Sequence, residues 1–285
     1  MKVVTLLKIM TYKKYQEIVQ FGNKKDNREF YIQRRLIEPF IESIVPELHI
    51  EDVSVIRHNS SSSEHDSMQY SCGAYPDLLI VKEWNYFNVN NVIDYKAVVE
   101  VKPPFVKNED YYHIGLQQKN ETRIYTHTVD TYSAENVQRI LGYFNATENN
   151  RVIFTDGLKW DFFDKRKLNN SEKDWINNLD QRAVLKKTVE NKIKKIKDEK
   201  VKEKRREKQV AKENKDNLEN RKILKKSLNT SFLLVDIKVI DRNNRGRSYD
   251  EEGNKLTEKR KASYKWKIEK NTYSNLVNYI KEFLK

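Results

Sequence analysis

Two short apolar runs, each broken by charged residues where a buried strand tolerates few, constrain this chain more than any other feature. The first is Ala74-Tyr75-Pro76-Asp77-Leu78-Leu79-Ile80-Val81, and the second is Ala97-Val98-Val99-Glu100-Val101-Lys102-Pro103-Pro104. Both are rich in leucine or β-branched residues and bounded by Pro, Gly or charge, so each predicts a short buried strand. A charged side chain inside such a strand is costly unless it is paired or holds a metal. Either Asp77, Glu100 and Lys102 meet one another or a shared ligand, or they only flank the strands. The connection from Lys82 to Tyr95 is too short for a typical crossover helix, which predicts a hairpin and antiparallel pairing of the two strands.

The residue types suit one chemistry. Glu100 and Lys102 stand two apart and project from the same face of a strand. Phosphodiester hydrolysis uses a hard cation, and Mg²⁺ takes oxygen ligands, usually one or two carboxylates completed by waters. Asp77 and Glu100 can supply the carboxylates. Lys102 beside them can orient or deprotonate the attacking water and offset charge in the transition state.

Pro76-Asp77 followed 23 positions after the Asp by Glu100-Val101-Lys102 resembles the motif of the PD-(D/E)xK nuclease superfamily. The flanking segments resemble the N-terminal nuclease domain of type I restriction enzyme R (motor) subunits. Upstream, Glu29 to Ile41 has apolar residues at helical spacing, and Glu29 matches the acid of the family's first helix better than Glu38 or Glu42 does. Downstream, Ala134 to Tyr143 reads as a helix with Gln138 on an otherwise apolar face, although the step from Gln138 to Tyr143 is one residue longer than in those subunits. Arg151 to Phe163 reads as two strands about an Asp156-Gly157 turn. The resemblance spans roughly residues 25 to 165. It implies an α/β fold with a restriction-endonuclease-like mixed central sheet flanked by helices. It also implies a Mg²⁺-dependent deoxyribonuclease, with Mn²⁺ as a substitute and 5′-phosphate products. Asp77, Glu100, Lys102, Glu29 and Gln138 become the expected site residues, with Asp77, Glu100, Val101 and Glu29 as metal ligands.

Charge is unevenly spread. Of the net +13, residues 182–226 contribute +11, from 19 Lys and Arg against 8 Asp and Glu, which leaves about +2 for the rest. Any attraction for a polyanion is therefore concentrated there, and DNA phosphates are the expected partner of this segment. With no Gly or Pro in residues 171–228, the sequence predicts one long helical stretch. Its apolar stripe (Leu185, Val189, Ile193, Ile196) decays too soon for a sustained coiled coil. From Ser231 a strand through Ile240, a polar loop, an alternating strand Ser263–Ile268 and a final amphipathic helix predict a small C-terminal β-β-α unit. The expected organisation is thus residues 1–170, 171–228 and 229–285.

Other features exclude more than they assert. Cys72 is the single cysteine, so no intramolecular disulfide forms, and a cytoplasmic setting is expected. The first ten residues make a poor signal peptide, and no run approaches a membrane span. His49, His58, His65, His113 and His127 have no metal-ligand spacing, and Tyr111, Tyr112 and Tyr125 are core or loop aromatics or base-stacking groups. The chain lacks a G-x-x-x-x-G-K-[ST] loop, so it is not a complete motor subunit, and a homodimer or a protein partner for targeting is compatible with that absence. A restriction, phage-defence or mobile-element role follows from resemblance alone. A catalytically inactive nucleic-acid-binding or regulatory protein on the same fold, or an interaction protein bridging partners through its charged helix, also fits the sequence.

Overall fold

The structure is a computed structural model and describes residues 9–25, 28–52, 76–82, 95–102, 116–119, 122–125, 129, 132–144, 150–194, 196, 199–234 and 268–285. After α1 (Tyr12–Lys25), one continuous helical rod comprises α2 (Glu29–Ile32), a π-helical turn (Gln33–Ile37) and α3 (Glu38–Ile44). Strands β1 (His49–Asp52), β2 (Leu78–Val81) and β3 (Tyr95–Val101) follow, then a separate hairpin of β4 (Leu116–Lys119) and β5 (Thr122–Tyr125). Helix α4 (Ala134–Tyr143) leads into β6 (Arg151–Thr155) and β7 (Lys159–Asp164). Helices α5 (Asn170–Asn177), α6 (Leu179–Lys194) and α7 (Glu199–Ser227), strand β8 (Leu228–Leu233) and α8 (Lys270–Leu284) complete the chain.

The fold is mixed α/β. Its main sheet has the order β1-β2-β3-β6-β7-β8, with β3 and β6 parallel and every other neighbour antiparallel. Strand alternation divides the core in two. Val99, Val101, Ile153, Trp160 and Phe162 face α1, the Glu29–Ile44 rod and α8, while Val98, Val152, Phe154 and Phe163 face α4 and the buried ends of α5, α6 and α7. Burying each such large side chain contributes about 1.5–3 kcal/mol.

The π-turn has a local cause. Pro39 has no N–H to return to the Arg35 carbonyl, and the wider turn just before it, in which the Glu38 N–H reaches the Gln33 carbonyl, absorbs that loss. Leu36 and Ile37 in this turn press on the β6–β7 turn. Gly157 there adopts φ +83°, and a Cβ at that position would lie 2.7 Å from the Leu36 Cδ2, so glycine is required both for its conformation and for its lack of bulk. Tyr15 donates to the Gly157 carbonyl at 2.5 Å.

Several expectations change. The 171–228 segment folds back on itself rather than running as one helix. Lys186 of α6 and Glu213 of α7 pair at 3.3 Å, whereas 27 residues of continuous helix would hold them about 40 Å apart. Burial of Ile193, Ile223 and Leu224 rewards the reversal. The expected boundary at residue 229 falls inside the sheet: β8 pairs with β7, and Tyr273, Leu276, Ile280 and Phe283 of α8 share a core with Tyr15, Phe40 and Trp160. The β4–β5 hairpin stands apart from the main sheet, and α1 runs through Gly22 to Lys25. The strand expected over Ser263–Ile268 lies, apart from Ile268, outside the described residues, as do His58, His65, Tyr111, Tyr112, His113 and His127.

Asp156, fully buried in the β6–β7 turn, accepts from the Leu158 and Lys159 amides at 2.8 and 2.7 Å. Burial outweighs those bonds and pushes its carboxyl up to about 6. The folded state therefore holds the Asp156 proton more tightly than the unfolded chain does. The associated stability is complete below about pH 4 and is lost as pH rises through about 6, to a limit of about 3 kcal/mol for a shift of about two units. Asp156→Asn keeps the accepting oxygen and removes the titration. Urea denaturation from pH 4 to 7 is expected to show wild type losing stability relative to Asp156→Asn, and parallel curves would refute the assignment.

Candidate active site

The two motif strands pair directly and antiparallel, as the short connection between them predicts, with Leu78 opposite Val99. Asp77 precedes β2 and is fastened to β3 at both ends: its amide donates to the Val99 carbonyl at 3.1 Å, and its Oδ2 accepts from the Val101 amide at 2.7 Å. Lys102 ends β3, where its amide bonds the Thr155 carbonyl at 2.8 Å. The parallel β3–β6 pairing thus fixes where the Glu100-Val101-Lys102 triplet stops.

Glu100 is fully buried, and Asp77 and Lys102 nearly so. The Lys102 ammonium donates to Glu100 Oε1 at 2.6 Å and to the Val101 carbonyl at 2.8 Å, and it contacts Glu29 Oε2 at 3.4 Å. Glu29 opens α2 and is partly exposed, so the helical rod brings a third carboxylate to the mouth of the pair. One turn on, the buried Gln33 amide approaches the Asp77 carbonyl at 3.5 Å.

Two residues of this cluster escape a reading of the sequence. Arg139 donates to Glu100 Oε1 at 2.7 Å, and the Tyr143 hydroxyl donates to Glu100 Oε2. Both lie on α4, four positions apart and so on one face. Gln138, the expected site residue, is the neighbour that a rotation of about 100° turns away. Its side chain is exposed and lines a groove with Arg182, Lys186 and Lys212 of the α6–α7 hairpin, and it does not join Glu100. The spacing of four to Tyr143 belongs to Arg139, a signal present in the sequence as the mismatch at Gln138.

Electrostatics follow from burial and crowding. Burial first, then the nearby Glu100 charge, push the Asp77 carboxyl up to about 8 against the pull of Lys102. For Lys102, burial alone would favour the neutral amine, but Glu100, Glu29 and Asp77 together outweigh it and raise its pKa. Lys102 is therefore an ammonium, suited to offsetting charge rather than to taking a proton. Burial, reinforced by Glu100, holds Tyr143 well above the usual phenol range, so it stays a donor. Arg139 is also raised, because Glu100 outweighs its own burial.

Among the described residues, no three His, Cys, Asp or Glu side chains form a ready-made metal cage. The donors around Lys102 are nonetheless all hard oxygens: the Glu29 and Glu100 carboxylates and the Val101 carbonyl, with Asp77 beside them. Such a set suits a cation like Mg²⁺, which keeps several waters. The Lys102 ammonium already stands among them as a cation. Asp77, Glu100, Val101 and Glu29 thus fit the divalent ion expected of them.

A second buried polar cluster lies two strands along the same face. Glu100, Phe154, Asp161 and Ser231 are in register across β3, β6, β7 and β8. Lys159 pairs with Asp161 at 2.9 Å and lies 5.2 Å from the centre of the Tyr132 ring, while Tyr132 and Ser231 both donate to Asp161. Burial pushes Asp161 up to about 7 and Lys159 down to about 8. Phe154 separates the two clusters, and in this one Lys159, Asp161 and Tyr132 are buried while Ser231 is half-buried.

Tyr143→Phe removes the phenolic donor of Glu100 Oε2 with little change of shape. The loss is expected to be about 1–3 kcal/mol in urea denaturation, and an unchanged midpoint would show that Tyr143 does not support Glu100. Compared with protein-family models, curated proteins and solved structures, the chain has no match.

Proposed function

We propose that this chain is a Mg²⁺-dependent endonuclease with a restriction-endonuclease-like site, hydrolysing DNA phosphodiester bonds in the manner of PD-(D/E)xK nucleases. The observation that carries the reading is the convergence of Asp77, Glu100 and Lys102 from adjacent strands, with Glu29 added from a helix. Asp77, Glu100, the Val101 carbonyl and Glu29 would hold the ion. When bound, it would polarise the phosphoryl oxygens and acidify a water. Lys102, held as an ammonium, offsets the charge that builds on the phosphoryl oxygens as a water oxygen bonds to phosphorus. The P–O3′ bond breaks, the attacking water's proton passes to solvent, the leaving O3′ takes a proton from solvent, and a 5′-phosphate and a 3′-hydroxyl result. Asp77, doubly fastened to β3, keeps the two motif strands in register during the reaction.

The α6–α7 hairpin supplies the affinity for DNA in this reading. Lys204, Arg205, Arg206 and Lys208 are exposed on a part of α7 that carries no core residue, while the rest of the chain is close to neutral. Charge of this kind attracts phosphates without reading sequence. Replacing these four residues by Gln spares Leu179, Ile193, Ile223 and Leu224, which the core needs. The slope of log K against log[salt] for DNA binding is expected to fall by about 2 to 4. An unchanged slope would place the polyanion contact elsewhere.

One observation favours a second reading, an inactive nucleic-acid-binding protein. Both Glu100 oxygens already have donors, so the network is complete without a cation. Cleavage of linear and supercoiled DNA with Mg²⁺ or Mn²⁺ separates the two. Wild type is expected to cut, with activity lost by at least about 100-fold in Asp77→Ala and Lys102→Ala. Intact DNA under every metal condition would leave the binding reading standing.

A further inference from the structure

The Arg139 guanidinium spans two environments. On its inner side Nη1 bonds the buried Glu100 Oε1 at 2.7 Å, and on its outer side Nη2 bonds Glu135 Oε1 at 3.1 Å. The Glu135 side chain is 78% exposed and that of Arg139 26%, against 8% for Lys102. Arg139 is therefore the cation of this cluster that solvent reaches.

We propose that Arg139 grips the phosphate of the bound strand, its guanidinium exchanging the Glu135 carboxylate for a non-bridging phosphate oxygen. This rests on the reading of the cluster as a site for nucleic-acid phosphodiesters. With Nη1 held by Glu100, Nη2 is the donor that turns outward, and a guanidinium N–H to a phosphate oxygen is a strong charge-assisted bond. In the resting protein one Glu135 oxygen takes that donor. An exposed pair four apart on one helix is weak, so a phosphate displaces Glu135 at little cost while Nη1 stays on Glu100.

Charge points the same way. Glu29, Asp77 and Glu100 oppose Lys102 and Arg139, three carboxylates against two cations, when all are ionised. A divalent ion on the carboxylates would leave the cluster with one positive charge in excess, which one phosphodiester anion balances. Lys102 lies too deep to meet a phosphate from outside without moving, whereas Arg139 already lies at the mouth. Helix α4 fixes its origin, since Val137, Ile140 and Leu141 are buried on either side of it.

The test is binding of a short fluorescein-labelled DNA duplex, followed by anisotropy across a NaCl series with Ca²⁺ in place of Mg²⁺, which supplies the divalent charge to the carboxylates without a need for turnover. Arg139→Gln is expected to bind about ten-fold more weakly, with a salt slope shallower by about 1. Glu135→Gln is expected to bind more tightly than wild type, and that gain should vanish in the Arg139→Gln background. Calorimetric binding of Mn²⁺ by Arg139→Gln should persist. If Arg139 only braces Glu100, the variant loses Mn²⁺ binding, keeps the wild-type salt slope, and the proposal falls. It falls equally if Glu135→Gln gains nothing, or if wild type binds no DNA. A wild type that binds DNA with these dependences but never cuts it would sink the hydrolytic reading and leave the Arg139 contact intact. A wild type that cuts, with Arg139→Gln indistinguishable from it in slope and affinity, would do the reverse.

Discussion

Glu100, buried without exposed surface in the middle of a six-stranded sheet, is the constraint around which the rest of this structure is arranged. Taking a carboxylate out of water costs several kcal/mol even after relaxation. Here the cost is met by three residues from two elements: Lys102 at the end of the same strand, and Arg139 and Tyr143 on the helix packed over it. Apolar residues of similar volume would fill the same space at equal or better stability. The network is therefore poorly explained as a stabilising device, and the proposed function reads it as a site kept for chemistry. Its members are coupled, since removal of any donor leaves the others facing an under-compensated buried charge.

The fold reads as the means of holding that network still. The parallel β3–β6 ladder ends β3 at Lys102, the antiparallel β2 brings Asp77 alongside, and the π-turn before Pro39 lets one helical rod keep Leu36, Ile37, Phe40 and Ile41 in the core while Glu29 reaches Lys102. The β6–β7 turn locks the rod in place through Gly157. Groups on different elements are held in this way by packing on rigid secondary structure, which is the arrangement that preorganised sites need. The second cluster, around the buried Lys159 and Asp161, occupies the same face on the far side of Phe154.

Local chemistry made part of this legible in the sequence. Apolar runs bounded by breakers identified β2 and β3, the Asp156-Gly157 pair identified the β6–β7 hairpin, and helical spacing identified α4 to the residue. What the sequence did not reveal depended on contacts between distant residues. Nothing near residue 195 announces that α6 and α7 fold back on each other, because burial of Leu179, Ile223 and Leu224 against other elements drives the reversal. Nothing near Leu228 announces that the strand following α7 completes the main sheet. The resemblance points to Gln138, yet one residue on a helix changes the direction of a side chain by about 100°. The spacing of four to Tyr143 puts Arg139 on the face that meets Glu100, which only the position of Glu100 beneath α4 reveals.

The central claim is that Asp77, Glu100, Glu29 and the Val101 carbonyl form a divalent-cation site in which Lys102 is a partner rather than a permanent occupant. Anomalous diffraction from crystals of the protein grown with Mn²⁺ tests it most directly. The account predicts a manganese peak bonded to oxygens of Asp77 and Glu100, with the Lys102 ammonium moved off the Val101 carbonyl. A map with no peak there at saturating Mn²⁺, and Lys102 still seated on Glu100 and Val101, would contradict it.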